Sequence, residues 1–180
     1  DPTPVNLVFG TTYTGTQAAA GDVQRYRFTL AAPKMVAFDS LANTAGISWT
    51  LNGPGDAVTR SFTNSDSFEA GAFPPVLLDA GEYELVVGGG FTSGAYGFRM
   101  LDLAASAQPL AGDGTLVQGT PTIANGTQAF AFTATAGERF AFQNIQQSAL
   151  TSLRLIDPSG RDITGPNFTN GAFTAELAGT

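Results

Sequence analysis

Short stretches in which apolar and polar residues alternate recur along the chain, separated by Gly, Pro, Asn and Asp. Side chains of a β-strand point to opposite faces in turn, so this alternation indicates strands with one buried and one solvated face. Residues 23–30 give the clearest case, with Tyr26 and Phe28 on the same face. The pattern returns in residues 47–52 and 82–87. It predicts an all-β chain.

The two halves of the chain share one plan. The matching residues lie at one constant offset and are Gln24 with Gln128, Phe28 with Phe132, Ala37 with Ala141, Phe38 with Phe142 and Pro54 with Pro158. After a small insertion the register resumes, and Ala80-Gly81 matches Ala178-Gly179. Such matches indicate an internal repeat. We therefore predict two tandem, jelly-roll-like antiparallel β-sandwiches, residues 1–103 and 115–180, joined by a linker of Ala, Ser, Gln, Pro, Gly and Asp at 104–114.

The second repeat is predicted to be incomplete at its C-terminus. In the first repeat the Ala-Gly step leads into apolar strands at 83–87 and 96–103, and the second repeat has neither. A sandwich short of two strands would expose unpaired backbone and apolar core. The expected partners are therefore neighbouring repeats of the same parent protein, or strands donated between copies. The apolar stretch 5–9 is a candidate donor.

Three motifs of the first repeat resemble the bacterial pre-peptidase C-terminal domain. Residues 21–30 resemble its early strand, residues 51–56 its hairpin turn, and residues 78–87 with 94–98 its closing pair of strands. The resemblance implies a jelly-roll β-sandwich that serves as an extracellular, non-catalytic module of secreted enzymes and surface proteins. The second repeat departs from the family pattern because it lacks the closing strand.

The composition removes most catalytic chemistry. The chain has no His and no Cys, so it cannot build a Ser-His-Asp triad, a Cys-His pair or the usual zinc sites by itself. A Ser-Lys dyad would have to use Lys34, the only lysine, and Glu82 with Glu84 is the candidate carboxylate pair for glycoside hydrolysis. Two glutamates two positions apart on a strand are better interpreted as a solvated sheet edge. We therefore expect no enzyme activity and no cofactor.

Charge and metal chemistry narrow the partners further. The 8 basic and 15 acidic residues give a net charge of −7, which disfavours nucleic acid and anionic lipid. A run of about 18 apolar residues, as a membrane span needs, is lacking, so we expect no membrane insertion. Aspartates near turns could ligate calcium, but isolated turn aspartates usually cap the backbone instead. They are Asp22, Asp39, Asp56, Asp79, Asp113, Asp157 and Asp162.

Three aromatic residues are candidates for contact with a ligand. Trp49 has Leu153 as its repeat partner, so a place in the core is the better interpretation. Phe91 lies in a glycine-rich loop with no local core, which makes it a candidate partner contact, unless it folds back over the end of the sandwich. Phe73 is a second candidate contact, although its match with Phe173 favours a structural plug.

These expectations combine in one hypothesis. The chain is predicted to be a spacer, adhesion or assembly module, secreted or at the cell surface, from a larger exported bacterial repeat protein. The alternative is a carbohydrate- or protein-binding accessory domain of a secreted hydrolase, with a glycan or a surface protein as its partner.

Overall fold

The computed structural model of the chain describes residues 2–42, 44–64, 75–88, 90, 92–119, 123–145, 153–165 and 170–180. Regular structure within these ranges is almost entirely β, which confirms the all-β sandwich prediction. The strands are β1 (Val5–Asn6), β2 (Tyr13–Gln17), β3 (Val23–Leu30), β4 (Lys34–Ser40), β5 (Ser48–Asn52), β6 (Val58–Ser61), β7 (Val76–Leu78), β8 (Gly81–Gly88), β9 (Gly94–Asp102), β10 (Gln108–Pro109), β11 (Phe130–Ala131), β12 (Arg139–Gln143) and β13 (Asn170–Thr174). The helical elements are a 3-10 turn (Phe62–Asn64) and a four-residue helix, α1 (Leu103–Ser106).

Residues 2–102, called here the N-terminal sandwich, form two sheets that face each other. One sheet has the strand order β1-β3-β8-β5-β6 and the other β2-β9-β4-β7. Aromatic rings join the sheets across the core, with the centroids of Phe38 and Trp49 4.4 Å apart and those of Tyr26 and Phe98 5.1 Å apart. Burial of these large rings is the main driving force for this half of the fold.

The alternation seen in the sequence sets the register of the central strands. In β3, Tyr26 and Phe28 are buried, whereas Arg27 and Thr29 are exposed. Antiparallel pairing with β8 places Tyr83 opposite Phe28, and the two rings stack with centroids 5.1 Å apart. A shift of one residue would move every one of these side chains to the solvent face, so burial holds the register.

The first strand corrects one expectation. Val5 and Asn6 pair in parallel with Tyr26 and Arg27 of β3, and Leu7 is buried in the core. The prediction that residues 5–9 are spare and available as a donor is therefore wrong, because this stretch completes the N-terminal sandwich.

Residues 103–180, called here the C-terminal part, contain two small sheets. Strand β10 pairs in parallel with β11, and β12 pairs with β13 in the antiparallel sense. The predicted linker at 104–114 contains most of α1 and all of β10. Asp102 caps α1 by accepting a hydrogen bond from the backbone amide of Ala105. The division into domains stays a prediction.

Several local contacts of the N-terminal sandwich recur in the C-terminal part. Leu30 pairs with Gly81, and Ala134 forms an isolated bridge with Gly179. Gly81 has a φ of 151° and its α-carbon faces the ring of Pro54, while Gly179 has a φ of 148° and faces Pro158. A side chain at either glycine would collide with that proline.

Strand pairings recur in the same way. The parallel pair of β1 with β3 places Val5 opposite Tyr26, and the parallel pair of β10 with β11 places Gln108 opposite Phe130. The amide of Leu7 donates to Arg27 over 2.8 Å, and the amide of Leu110 donates to Ala131 over 2.7 Å.

Candidate functional sites

The structure tests one of the three candidate aromatic residues. Trp49 is 2% exposed and lies in the core between the sheets, so its assignment to the core is confirmed. Phe91 and Phe73 lie outside the described residues, and their roles stay predictions. Gly90, the neighbour of Phe91 in the chain, accepts a hydrogen bond from the amide of Gly21 at the start of β3.

Most turn aspartates bond to the backbone, as the capping interpretation predicts. Asp22 accepts from the amide of Ala19 over 2.7 Å, and Asp162 accepts from the amide of Gly165 over 2.8 Å. Asp157 accepts from the amides of Ser159 and Arg161. Burial alone would raise the pKa of the Asp157 carboxyl, but these hydrogen bonds and the nearby Arg161 charge leave its pKa lowered.

Glu84 does not lie at a sheet edge. Its strand, β8, is central, between β3 and β5, and its carboxylate bonds to Arg25 over 2.8 Å and to Arg27 over 3.0 Å. The prediction of a solvated edge is therefore wrong for Glu84, because β3 and β5 flank it on both sides. Glu82 is exposed and pairs with Thr29 of β3. Lys34 is likewise engaged, since its ammonium contacts the carboxylate of Asp102.

Asp39 is the aspartate that the turn interpretation misplaced. It lies within β4, directly opposite Arg99 of β9, and its side chain is 0% exposed. The guanidinium of Arg99 donates to Oδ2 of Asp39, with the Nε atom 2.7 Å away. A buried ion pair is stable only if its remaining hydrogen-bonding atoms also have partners. The other partners of Asp39 and Arg99 therefore show what the pair does in the fold.

Those partners belong to the C-terminal part. The amide of Thr127 donates to Oδ1 of Asp39 over 2.9 Å, and the carbonyl oxygen of Thr127 accepts from Arg99 over 3.2 Å. The backbone amide of Thr127 therefore bonds to Asp39, and its carbonyl oxygen bonds to Arg99. We call Asp39, Arg99 and Thr127 the junction.

Asn125 and Gly126, which precede Thr127 in the chain, allow the backbone to approach the ion pair closely. Asn125 adopts a φ of 58°, which Asn tolerates better than most residues, and its side-chain amide donates to the carbonyl oxygen of Leu41 over 3.4 Å. A β-carbon at Gly126 would lie 3.2 Å from Nη2 of Arg99, so a glycine suits this close approach. Leu101 points away from the core yet is only 4% exposed. The C-terminal part therefore packs on the outer face of the β2-β9-β4-β7 sheet.

The second candidate site is the open edge of β11. In the N-terminal sandwich, β3 has β1 on one edge and β8 on the other. In the C-terminal part, β10 is the one described strand that pairs with β11, and the opposite edge carries the single bridge from Ala134 to Gly179. An edge without a partner strand, as this one is among the described residues, is a template for another strand.

An aromatic cluster lies beside this open edge. Phe140 lies 5.0 Å from Phe132 and 5.4 Å from Phe173, measured between ring centroids. No apolar residue among those described between 103 and 180 is fully buried, and Phe130 is 36% exposed. The cluster therefore has the aromatic composition of a hydrophobic core, but it is more exposed to solvent than the core of the N-terminal sandwich.

The described residues contain neither a cluster of metal-ligating side chains nor a helix that could span a membrane. No three His, Cys, Asp or Glu side chains of the described residues lie together as a metal site would require. No helix among those residues has the length and hydrophobicity to cross a bilayer.

Comparisons with known proteins give structural neighbours only. No family model matches the chain, and no curated protein matches it. The solved structure of PliG, a periplasmic inhibitor of g-type lysozyme from Salmonella Typhimurium, aligns with 22% identity and a TM-score of 0.43. That alignment covers 56% of this chain and 98% of the inhibitor. The pre-peptidase C-terminal domain of the collagenase from Bacillus anthracis aligns with 17% identity and a TM-score of 0.40, over 56% of this chain and 96% of that domain.

Proposed function

We propose that the chain is a non-catalytic module of an exported protein, built from two sandwich units of one plan, and that its second unit assembles by taking up an extra β-strand. The observation that carries this proposal is the open edge of β11 beside a half-covered aromatic cluster. The single bridge from Ala134 to Gly179 marks where that strand would begin.

The recurring contacts support a common plan for the two units. Leu30 pairs with Gly81 as Ala134 pairs with Gly179, and each glycine faces a proline. The turn before β3 has Gly21 at a φ of 85°, and Asn125 holds the corresponding turn at 58°. Gly21 with Asn125 and Leu30 with Ala134 lie at the constant offset of the sequence matches, and Gly81 with Gly179 lies in the register that resumes after the insertion.

The pairing of β3 with β8 in the first unit also indicates which side chains a strand at the edge of β11 would need. In the first unit, β8 brings Tyr83 against Phe28 and Leu85 against Tyr26. The corresponding side chains of the second unit are Phe132 and Phe130. We infer that the occupant is an extended strand with an aromatic residue followed by alternating apolar residues. A neighbouring repeat or another copy would supply it.

The junction supports the role of a spacer. Two units joined by a flexible linker move independently, whereas a buried ion pair that holds the backbone of the second unit fixes their orientation. Force applied along such a chain would pass through the junction of Asp39, Arg99 and Thr127. Extracellular placement agrees with the family resemblance of the first repeat, and a non-catalytic role agrees with the lack of His and Cys.

A synthetic peptide tests the strand-accepting edge. We expect a peptide with the sequence of Gly81–Gly88 to bind the 180-residue protein and to slow amide exchange at Phe130 and Phe132, because it adds a strand with the required alternation. The matched control is the same peptide with Ser in place of Tyr83, Leu85 and Val87, which keeps the backbone and removes the apolar face. Equal effects of the two peptides, or none from either, would contradict strand uptake.

A further inference from the structure

A groove opens on the N-terminal sandwich, and none of its described lining residues belongs to β11. It has a volume of ≈680 Å³ and lies where β2, at the edge of one sheet, faces β1 and β3 of the other. Ligand sites commonly have volumes of about 300–1,000 Å³. The groove exists because β1 pairs only with Tyr26 and Arg27, so no described strand covers the beginning of β3 on that side.

The groove is lined by hydroxyl, amide and aromatic groups. Thr16 and Gln24 lie along its rim, and Tyr13, Tyr26 and Tyr96 form its aromatic wall. The hydroxyls of Tyr26 and Tyr96 lie 3.0 Å apart. Burial raises the pKa of Tyr26, and the Tyr96 hydroxyl raises it further, so the phenol keeps its proton.

Gln17 adds a buried amide to the lining of the groove. It lines the groove, is 3% exposed, and donates from its amide nitrogen to the carbonyl oxygen of Asp22. Its Oε1 atom is buried and accepts no hydrogen bond from any described residue. A buried acceptor without a donor is unfavourable and calls for an explanation.

The charges of the lining limit the class of ligand. No Lys or Arg is among the described residues that line the groove, so phosphate and carboxylate groups would find no counter-charge. Asp22 is the one charged lining residue described, and its Oδ2 atom already accepts from the amide of Ala19. A neutral ligand that is rich in hydroxyl groups matches these groups best.

We propose that this groove binds a neutral oligosaccharide. Sugar hydroxyls both donate and accept, so they match the hydroxyl and amide groups of Thr16, Gln24 and the tyrosines. The apolar faces of sugar rings pack on aromatic side chains such as Tyr13.

Two tetrasaccharides serve as probes, one of β-1,4-linked glucose and one of β-1,4-linked N-acetylglucosamine. We expect at least one of them, at concentrations up to about 10 mM, to shift the amide NMR signals of Thr16, Gln17 and Gln24. Thr16→Ala is expected to weaken that binding about 3–10-fold, because one neutral hydrogen bond is lost. Thr29→Ala is the matched control, since Thr29 is an exposed threonine of β3 that does not line the groove.

The experiment separates this proposal from strand uptake. Absence of shifts with both sugars would overturn the oligosaccharide site and leave the edge of β11 untouched. A neutral Thr-Ala-Thr-Ala peptide is the third probe. Shifts at Gln17 and Gln24 with the peptide but with neither sugar would also overturn the proposal, because the groove would then be a peptide site.

Discussion

Replacing Arg99 by methionine is expected to lower the free energy of unfolding by about 3–5 kcal/mol, because Asp39 would remain buried without its counter-charge. Asp39 is 0% exposed, so water cannot replace the guanidinium without opening the junction. The loss should appear in a urea titration followed by circular dichroism. Thr127 also loses one of its two partners, so the variant should scatter X-rays as a more extended and variable particle than the parent.

Arg27→Met provides the matched control. Arg27 also bonds to a carboxylate, that of Glu84, but its side chain is 65% exposed, and exposed pairs contribute about 0–1 kcal/mol. If Arg99→Met costs no more than Arg27→Met and leaves the scattering curve unchanged, the junction does not hold the C-terminal part on the N-terminal sandwich.

Truncation of Trp49 to alanine is expected to cost a similar amount, about 3–5 kcal/mol, the usual range for deleting a buried large aromatic side chain. Its ring stacks on Phe38 at 4.4 Å, and Arg60 lies over it at 5.8 Å from the ring centroid. Deletion would remove the contact that joins β5 of one sheet to β4 of the other. A thermal or urea denaturation measures the loss.

Fluorescence of the parent protein checks the same site without a mutation. Trp49 is the single tryptophan, so emission reports on it alone, and a residue that is 2% exposed should emit at short wavelength and resist soluble quenchers. Trp49→Phe should retain most of the stability, since it keeps an aromatic ring against Phe38. Water-like emission together with an alanine variant as stable as the parent would place Trp49 on the surface.

The strands of the N-terminal sandwich were predictable because burial and alternation agree there. The buried residues of β3, β5 and β8 are those that the period of two selects. Strand β1 was missed because two residues carry no period, and its parallel pairing depends on where β3 lies. The helix α1 and the strand β10, inside the predicted linker, were missed for the same reason.

The candidate sites depended still more on tertiary structure. Asp39 lies at the polar end of an apolar strand, and the sequence alone does not show that Arg99, 60 residues later, will lie opposite it on the neighbouring strand. From the sequence, Glu84 is expected at a solvated edge, and only the tertiary structure shows that β3 and β5 flank its strand. Gln17 has no distinguishing neighbour in the sequence, since its significance comes from its burial and its unpaired oxygen. A polar residue at an inward position of an alternating strand was the one signal available.

The strand-accepting edge has a direct energetic consequence. Covering the exposed faces of Phe130 and Phe132 with a new strand would add about 1.5–3 kcal/mol, the value of burying one large apolar side chain. The added backbone hydrogen bonds would also satisfy the edge of β11. The same gain would appear whether a neighbouring repeat or another molecule supplies the strand.

Amide hydrogen exchange on an extended chain shows whether the edge of β11 takes up a strand. A copy of Tyr83–Gly88 is appended after Thr180, where the register of Ala134 with Gly179 places its tyrosine opposite Phe132. We expect amides of β11 and β12 then to exchange as slowly as those of β3 and β4, while an extension with Ser at its apolar positions changes nothing. Exchange in β11 and β12 that is the same with both extensions, or already as slow in the unextended chain, would contradict it.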